Sequence, residues 1–291
     1  MPRIALLYIA LAATTLPAFA QAPLQVDQDY AAARALATEH DKLLFVDFYT
    51  TWCKPCKQLD AAVFEDSAHA ARLAEDYVLL KYDTERDNVH HLSKKHHVNG
   101  YPTGLVLNRD GYVVARTFGY GGGDTDEEMV AASWSFADAA ADSARVGVYV
   151  PGYAPNIAPG AYPNFYTDFV ERTNTNVDTS AAFAAYFRDA PGRLGEVYFS
   201  VLYYFGFEVG DGVADRFLED APRYRELYGE TDVNSVAEFM SYKRLVDAVE
   251  TRDAGRFGAA AVFAKAALPP ERSAELIGRF RAKLAEATVE E

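Results

Sequence analysis

Only two cysteines occur in the 291 residues of this chain, three positions apart in Trp52-Cys53-Lys54-Pro55-Cys56. They stand directly behind the apolar run Leu43-Leu44-Phe45-Val46-Asp47-Phe48-Tyr49, and Lys57-Gln58-Leu59 opens a helical pattern after them. A strand therefore delivers both sulfurs to a helix start. Free backbone N–H groups and the helix dipole stabilise an anion there, in this case a thiolate. A thiol whose pKa is lowered in this way attacks near neutral pH. The two-residue gap lets the second sulfur reach the first, so a captured mixed disulfide can be resolved internally. Zinc would need two more ligands. No second cysteine pair exists, and a buried strand with a tryptophan is not the setting of a zinc knuckle. The pattern points to redox chemistry.

Around this motif, helical and strand patterns alternate. A helix is expected over residues 30–37, a strand over 43–49, helices past Val63 and over 68–75, and a buried strand over 77–83. A polar helix follows over 87–97, then two strands, 104–108 and 112–118, turned by Arg109-Asp110-Gly111, and a closing helix over 126–141. This is the pattern of an α/β layered domain.

The segment from Tyr30 to about Ala141 resembles the thioredoxins. Asp47-Phe48, the cysteine motif with Lys57, Gly100-Tyr101-Pro102-Thr103 and Gly119 follow that family's order and spacing. Val63-Phe64-Glu65-Asp66, leading to the second buried strand, is similar to one branch of it. That branch comprises thioredoxin-like domains of bacterial secreted proteins, including the C-terminal domain of the membrane thiol:disulfide interchange protein. The resemblance implies a thioredoxin fold, a central mixed sheet flanked by helices, and a protein-disulfide reductase with no cofactor and no metal. It makes Cys53 the exposed attacking thiol and Cys56 the shielded resolving one. Asp47 is then a partly buried acid of raised pKa that takes the proton of Cys56. Trp52 packs beside the active-site loop, Pro102 is cis and presents the Tyr101 backbone to substrate, and Gly119 lets a second loop approach the same groove. Lys54 and Pro55 set the environment of the sulfurs. Pro55 matches the reducing members, whereas the ammonium of Lys54 favours the thiolate and so a more oxidising couple.

Two departures from the family pattern stand out. Thioredoxins carry a lysine beside the buried acid, at the position of Leu79 here; Lys81 shares its strand face and is the candidate substitute. Ala61 replaces a proline that kinks the active-site helix in many relatives.

Residues 1–20 hold one charge, Arg3, then an apolar stretch ending in Ala18-Phe19-Ala20, as a cleaved secretory signal does. No cysteine follows for a lipid anchor, and no later stretch is expected to span a bilayer. Loss of Arg3 takes the net charge from −14 to −15. Such acidity argues against nucleic acid or anionic lipid as partners. A soluble exported protein, periplasmic or secreted, is expected. It would act on protein disulfides and draw electrons from a separate membrane carrier.

The expected division is a signal at 1–20, a thioredoxin-like domain at 21–144, a Pro/Gly-rich linker at 145–163 and an all-α domain at 164–291. Helices are expected over 222–228, 233–251, 256–268 and 274–287, and the aromatic residues from Phe165 through Phe183 to Phe205 form their core. Two other functions stay open. His90, His91, His96 and His97, together with the cysteines, would suit copper or zinc handling, although Lys94 and Lys95 between them read as solvated surface. Alternatively the helices bind client proteins and the redox domain is auxiliary.

Overall fold

The structure is a computed structural model that describes residues 24–119, 125–156, 159–171, 173, 179–189 and 192–289. The expected signal at 1–20 lies outside these. Strand β1 (Gln25–Asp27) and helix α1 (Tyr30–Glu39) lead into β2 (Leu43–Tyr49). After the cysteines come α2 (Lys54–Leu59), a π-helical turn (Asp60–Phe64), α3 (Ser67–Asp76) and β3 (Tyr77–Asp83). A short α4 (Leu92–Lys95) precedes the hairpin of β4 (Thr103–Leu107) and β5 (Val113–Phe118), and α5 (Asp126–Arg145) follows. The strands form one mixed sheet in the order β1-β3-β2-β4-β5. β3 runs parallel to β1 and β2, while β4 runs antiparallel to β2 and β5.

β2 and β3 lie between neighbours and are covered on both faces, which explains why each reads as an almost unbroken apolar run. Alternation along β2 divides the core. Phe45 points to a cluster with Leu59, Phe64, Tyr77 and Trp134. Leu44, Val46 and Phe48 point to the opposite face, where the cluster continues into Tyr198, Phe199, Tyr224 and Tyr228 of the later helices. One apolar core thus joins the sheet to the C-terminal part.

That part consists of α6 (Asn164–Val170), α7 (Thr179–Asp189), α8 (Glu196–Phe205), α9 (Asp211–Glu250), α10 (Ala254–Ala267) and α11 (Pro270–Val289). The expected aromatic core is present: Tyr166, Phe199 and Phe205 are buried, and the rings of Phe199 and Tyr228 stack 4.0 Å apart. Each such burial contributes roughly 1.5–3 kcal/mol. Pro222, expected to open a helix, lies inside α9, whose backbone breaks only at Gly229. The stretch at 145–163 is packed where it is described. Val150 bridges to Val113 on β5, and Tyr153 is 1% exposed.

Two expectations for the segment after β3 are corrected. No helix spans 87–97. The Asp87 carboxylate accepts hydrogen bonds from the backbone of Leu92 and Ser93 and from the Ser93 hydroxyl, so it caps a helix that starts only at Leu92. Lys94 and Lys95 are not solvated. Both are buried, paired with Glu171 after α6 and with Glu196 of α8 (the latter at 2.6 Å). Among the described residues, no helix is long and apolar enough to cross a membrane.

Candidate active site

β2 ends at Tyr49, and the chain turns through Thr50 to Trp52, with the Cys53 N–H donating to the Thr50 carbonyl at 3.1 Å. Cys53 is the N-cap of α2, and its sulfur accepts the N–H of Cys56 at 3.1 Å. This is the orphan-donor geometry expected at a helix start, with a sulfur as the acceptor. Pro55 lies in the first turn, where a missing N–H costs nothing. Lys54 beside it is exposed. Cys53 and Cys56 are joined, with an S–S distance of 2.02 Å. Contrary to expectation Cys53 is covered, 3% exposed against 1% for Cys56. Its sulfur is bonded to that of the buried Cys56.

Trp52 forms the exposed rim, at 62%. Its indole N–H donates to Glu85 at 2.9 Å, and the ring stands edge-on to Tyr101. The Tyr101–Pro102 peptide is cis, as the family motif implied. The Pro102 carbonyl accepts the Gly119 N–H at 2.8 Å, which ties the second loop to the first. Gly119 adopts φ +66° with open space around its Cα, so glycine serves the backbone conformation there and not clearance.

Asp47 is 1% exposed at the middle of β2, in register with Lys81 of β3. The Lys81 ammonium donates to Asp47 Oδ2 at 2.5 Å, confirming the substitution of this lysine for the one absent at Leu79. Lys81 also donates to Asp60. Burial pushes the Asp47 carboxyl above its ordinary pKa, more than the facing ammonium lowers it. Burial acts against the Lys81 charge as well, but the two carboxylates outweigh it and raise its pKa. One cation is therefore shared by two acids, and Asp47 Oδ1 is buried without a hydrogen-bond partner among the described residues. Asp47 lines a small cavity together with Leu59 of α2, Pro102 and Gly119, so acid, active-site helix and cis-proline loop meet there.

Asp60 was missed at the sequence level. It follows Cys56 by four residues, one helical turn, and that spacing alone places it on the same helix face as Cys56. It caps α2 where the π-helical turn begins, next to Ala61. The altered helix at the missing proline is thus a local widening of the turn.

Of the four clustered histidines, His91 lines a cleft with Trp52, and the other three pack against aromatic rings. His96 and His97 are buried among aromatic rings, with His97 stacked on Tyr203 at 4.7 Å. His90 meets Tyr30 edge-on. Among the described residues, no group of three or more His, Cys, Asp or Glu is placed to hold a metal ion.

A sequence model of thioredoxin-like proteins matches residues 25–108. Thioredoxin-1 of Saccharomyces cerevisiae is 36% identical over 83 residues, covering 28% of this chain and 74% of that protein. Thioredoxin-1 of Drosophila melanogaster is 34% identical over 70 residues, 24% of this chain and 61% of that protein. The thiol:disulfide interchange protein DsbD of Vibrio vulnificus is 38% identical over 71 residues, 24% of this chain but 12% of its own length. The chain therefore spans about three-fifths of the fly thioredoxin and a small fraction of the interchange protein. With the yeast protein matched over most of its length, and the paired cysteines, buried acid and cis-proline loop in one place, this chain belongs to the thioredoxin-like family.

Proposed function

We propose that the chain is an exported thiol–disulfide oxidoreductase that reduces protein disulfides. The observation that carries this is the Cys53–Cys56 pair at the N-terminus of α2, in a fold that also buries Asp47 against Lys81. In the reduced protein the Cys53 thiolate attacks one sulfur of a substrate disulfide. A mixed disulfide forms, and the other substrate sulfur leaves as a thiolate that takes a proton from water. Asp47 accepts the Cys56 proton, and the Cys56 thiolate attacks Cys53 Sγ. The second substrate sulfur leaves as a thiolate that takes up the proton held by Asp47, and the protein is left as the disulfide. Two electrons have passed to the substrate. A separate dithiol carrier must return them, and a membrane-bound one suits an exported protein.

Export rests on the signal-like residues 1–20, and the reducing direction rests on Pro55. Insulin reduction driven by dithiothreitol tests the activity. Cys53→Ser should abolish it, and Cys56→Ser should accumulate a mixed disulfide through Cys53. Wild-type turnover no faster than dithiothreitol alone would remove the proposal.

A further inference from the structure

A cleft of about 880 Å³ starts beside the redox pair, and the helical part closes its far side. Trp52 and Tyr101 line its near end, the segment from Thr84 to Asn99 lines its flank, and Val170, Glu171 and Tyr204 form the opposite wall. These last residues lie beyond the segment matched by the thioredoxin-like family, residues 25–108. The cleft is thus a property of this two-part chain and not of the redox fold alone.

Its charge is one-sided. Glu85, Asp87 and Glu171 line it, whereas its one lysine, Lys94, is tied to Glu171. His91 adds no positive charge near neutral pH, because burial and then the charge of Lys94 lower its pKa. The lining therefore carries two more carboxylates than cations, although Asp87 is held by the backbone of Leu92 and Ser93 and also interacts with Lys94. The lining is also mixed in polarity: Trp52, Tyr101, Val170 and Tyr204 offer apolar surface beside Thr84, Asn88 and Asn99. An open, mixed polar and apolar trough near the disulfide suits an extended polypeptide better than a compact apolar molecule.

We propose that this cleft seats the polypeptide segment flanking the substrate cysteine and selects segments that carry lysine or arginine. The inference rests on the disulfide-reductase reading and specifies its substrate class. The helical part, by supplying the far wall, becomes a specificity element.

The test uses the reduced full chain and two disulfide-bonded peptides, identical except for lysines or glutamates flanking the cysteines. The wild type should reduce the lysine peptide about tenfold faster in kcat/KM at low salt, with the gap narrowing as salt rises. Glu85→Gln keeps an acceptor for the Trp52 indole but removes one charge, and it should reduce the gap severalfold. Val170→Lys, on the opposite wall, should do the same or invert the preference. Reduction of 2-hydroxyethyl disulfide, small and uncharged, should be unchanged in Val170→Lys. A wild type inactive on 2-hydroxyethyl disulfide would overturn the reductase reading and the cleft with it. Normal activity there, with equal rates on the two peptides or a gap untouched by both variants, would overturn the cleft alone.

Discussion

At the scale of single residues, the unusual feature is one ammonium serving two acids of unequal burial. Asp47 is enclosed, whereas Asp60 is partly exposed. The raised pKa of Asp47 fixes the sign of its effect on stability. A carboxyl whose pKa rises on folding supports the fold below its unfolded value, and that support is lost as pH climbs through the folded value. At neutral pH, charged Asp47 is therefore a cost. Asp47→Asn should raise stability there by on the order of 1–3 kcal/mol, a gain that vanishes in acid once Asp47 is itself protonated. Lys81 is not orphaned, because Asp60 still pairs with it. The same substitution should slow disulfide exchange near neutral pH by about a hundredfold, the low end of what a positioned proton acceptor supplies. Greater stability with lower activity is a combination that general structural damage does not produce. Asp60→Asn should move the acidic limb of the pH–rate profile to lower pH, since the Asp60 charge helps to raise Asp47. Denaturant titrations and rate profiles of the two variants check both signs.

At the scale of elements, the 145–163 stretch meets α9 through backbone at Gly152 as well as through the Tyr153 side chain. Gly152 donates its N–H to the Leu227 carbonyl at 2.7 Å, and a Cβ there would fall 2.6 Å from that oxygen and 2.5 Å from the Tyr228 ring. Backbone cannot yield as a flexible side chain does, so Gly152→Ala should cost about 1–3 kcal/mol and lower the melting midpoint by several degrees. Gly160→Ala, with nothing within 4 Å of its Cβ position, should leave the midpoint unchanged; equal effects at the two sites would refute this packing. The elements legible in the sequence were those set by local pattern. β2 and β3 announced themselves as apolar runs, the cysteine turn followed from motif spacing, and the cis-proline loop and the buried acid were implied by the resemblance to thioredoxins. What stayed hidden depended on distant partners. Lys94 and Lys95 look like surface residues because Glu171 and Glu196, which neutralise them, lie 77 and 101 residues further along. The expected helix over 87–97 failed because the Asp87 side chain competes for the backbone N–H groups that would have extended it. Asp60 was readable from its one-turn spacing to Cys56, but no motif marks it.

At the scale of the whole molecule, the junction between the sheet and the helices is polar as well as apolar. Arg116 on β5 faces Asp232 of α9 at 3.7 Å, Tyr153 donates to the same carboxylate, and Lys95 pairs with Glu196. Removing the helices would take away the carboxylate partners of these cations and expose the apolar sheet face that packs on Tyr198, Phe199 and Tyr228, so the redox part is built to keep its companion. His96 and His97 sit within this junction, both buried, and neither ring nitrogen of His97 has a hydrogen-bond partner among the described residues. Burial, and then the charges of Lys95 and Arg116, hold both imidazoles well below their ordinary pKa. Groups depressed in this way support the fold above the unfolded imidazole value and withdraw that support as pH falls toward their folded values. The sheet and helices should therefore lose stability together below about pH 6.5, at up to about 1.4 kcal/mol per pH unit for each histidine. His97→Phe keeps the ring that stacks on Tyr203 and removes one titrating site, so the acid slope should drop by one such increment while neutral stability holds or rises. Denaturant titrations at pH 7, 6 and 5 measure that slope. An identical slope in His97→Phe would show that acid acts at some other place in the protein.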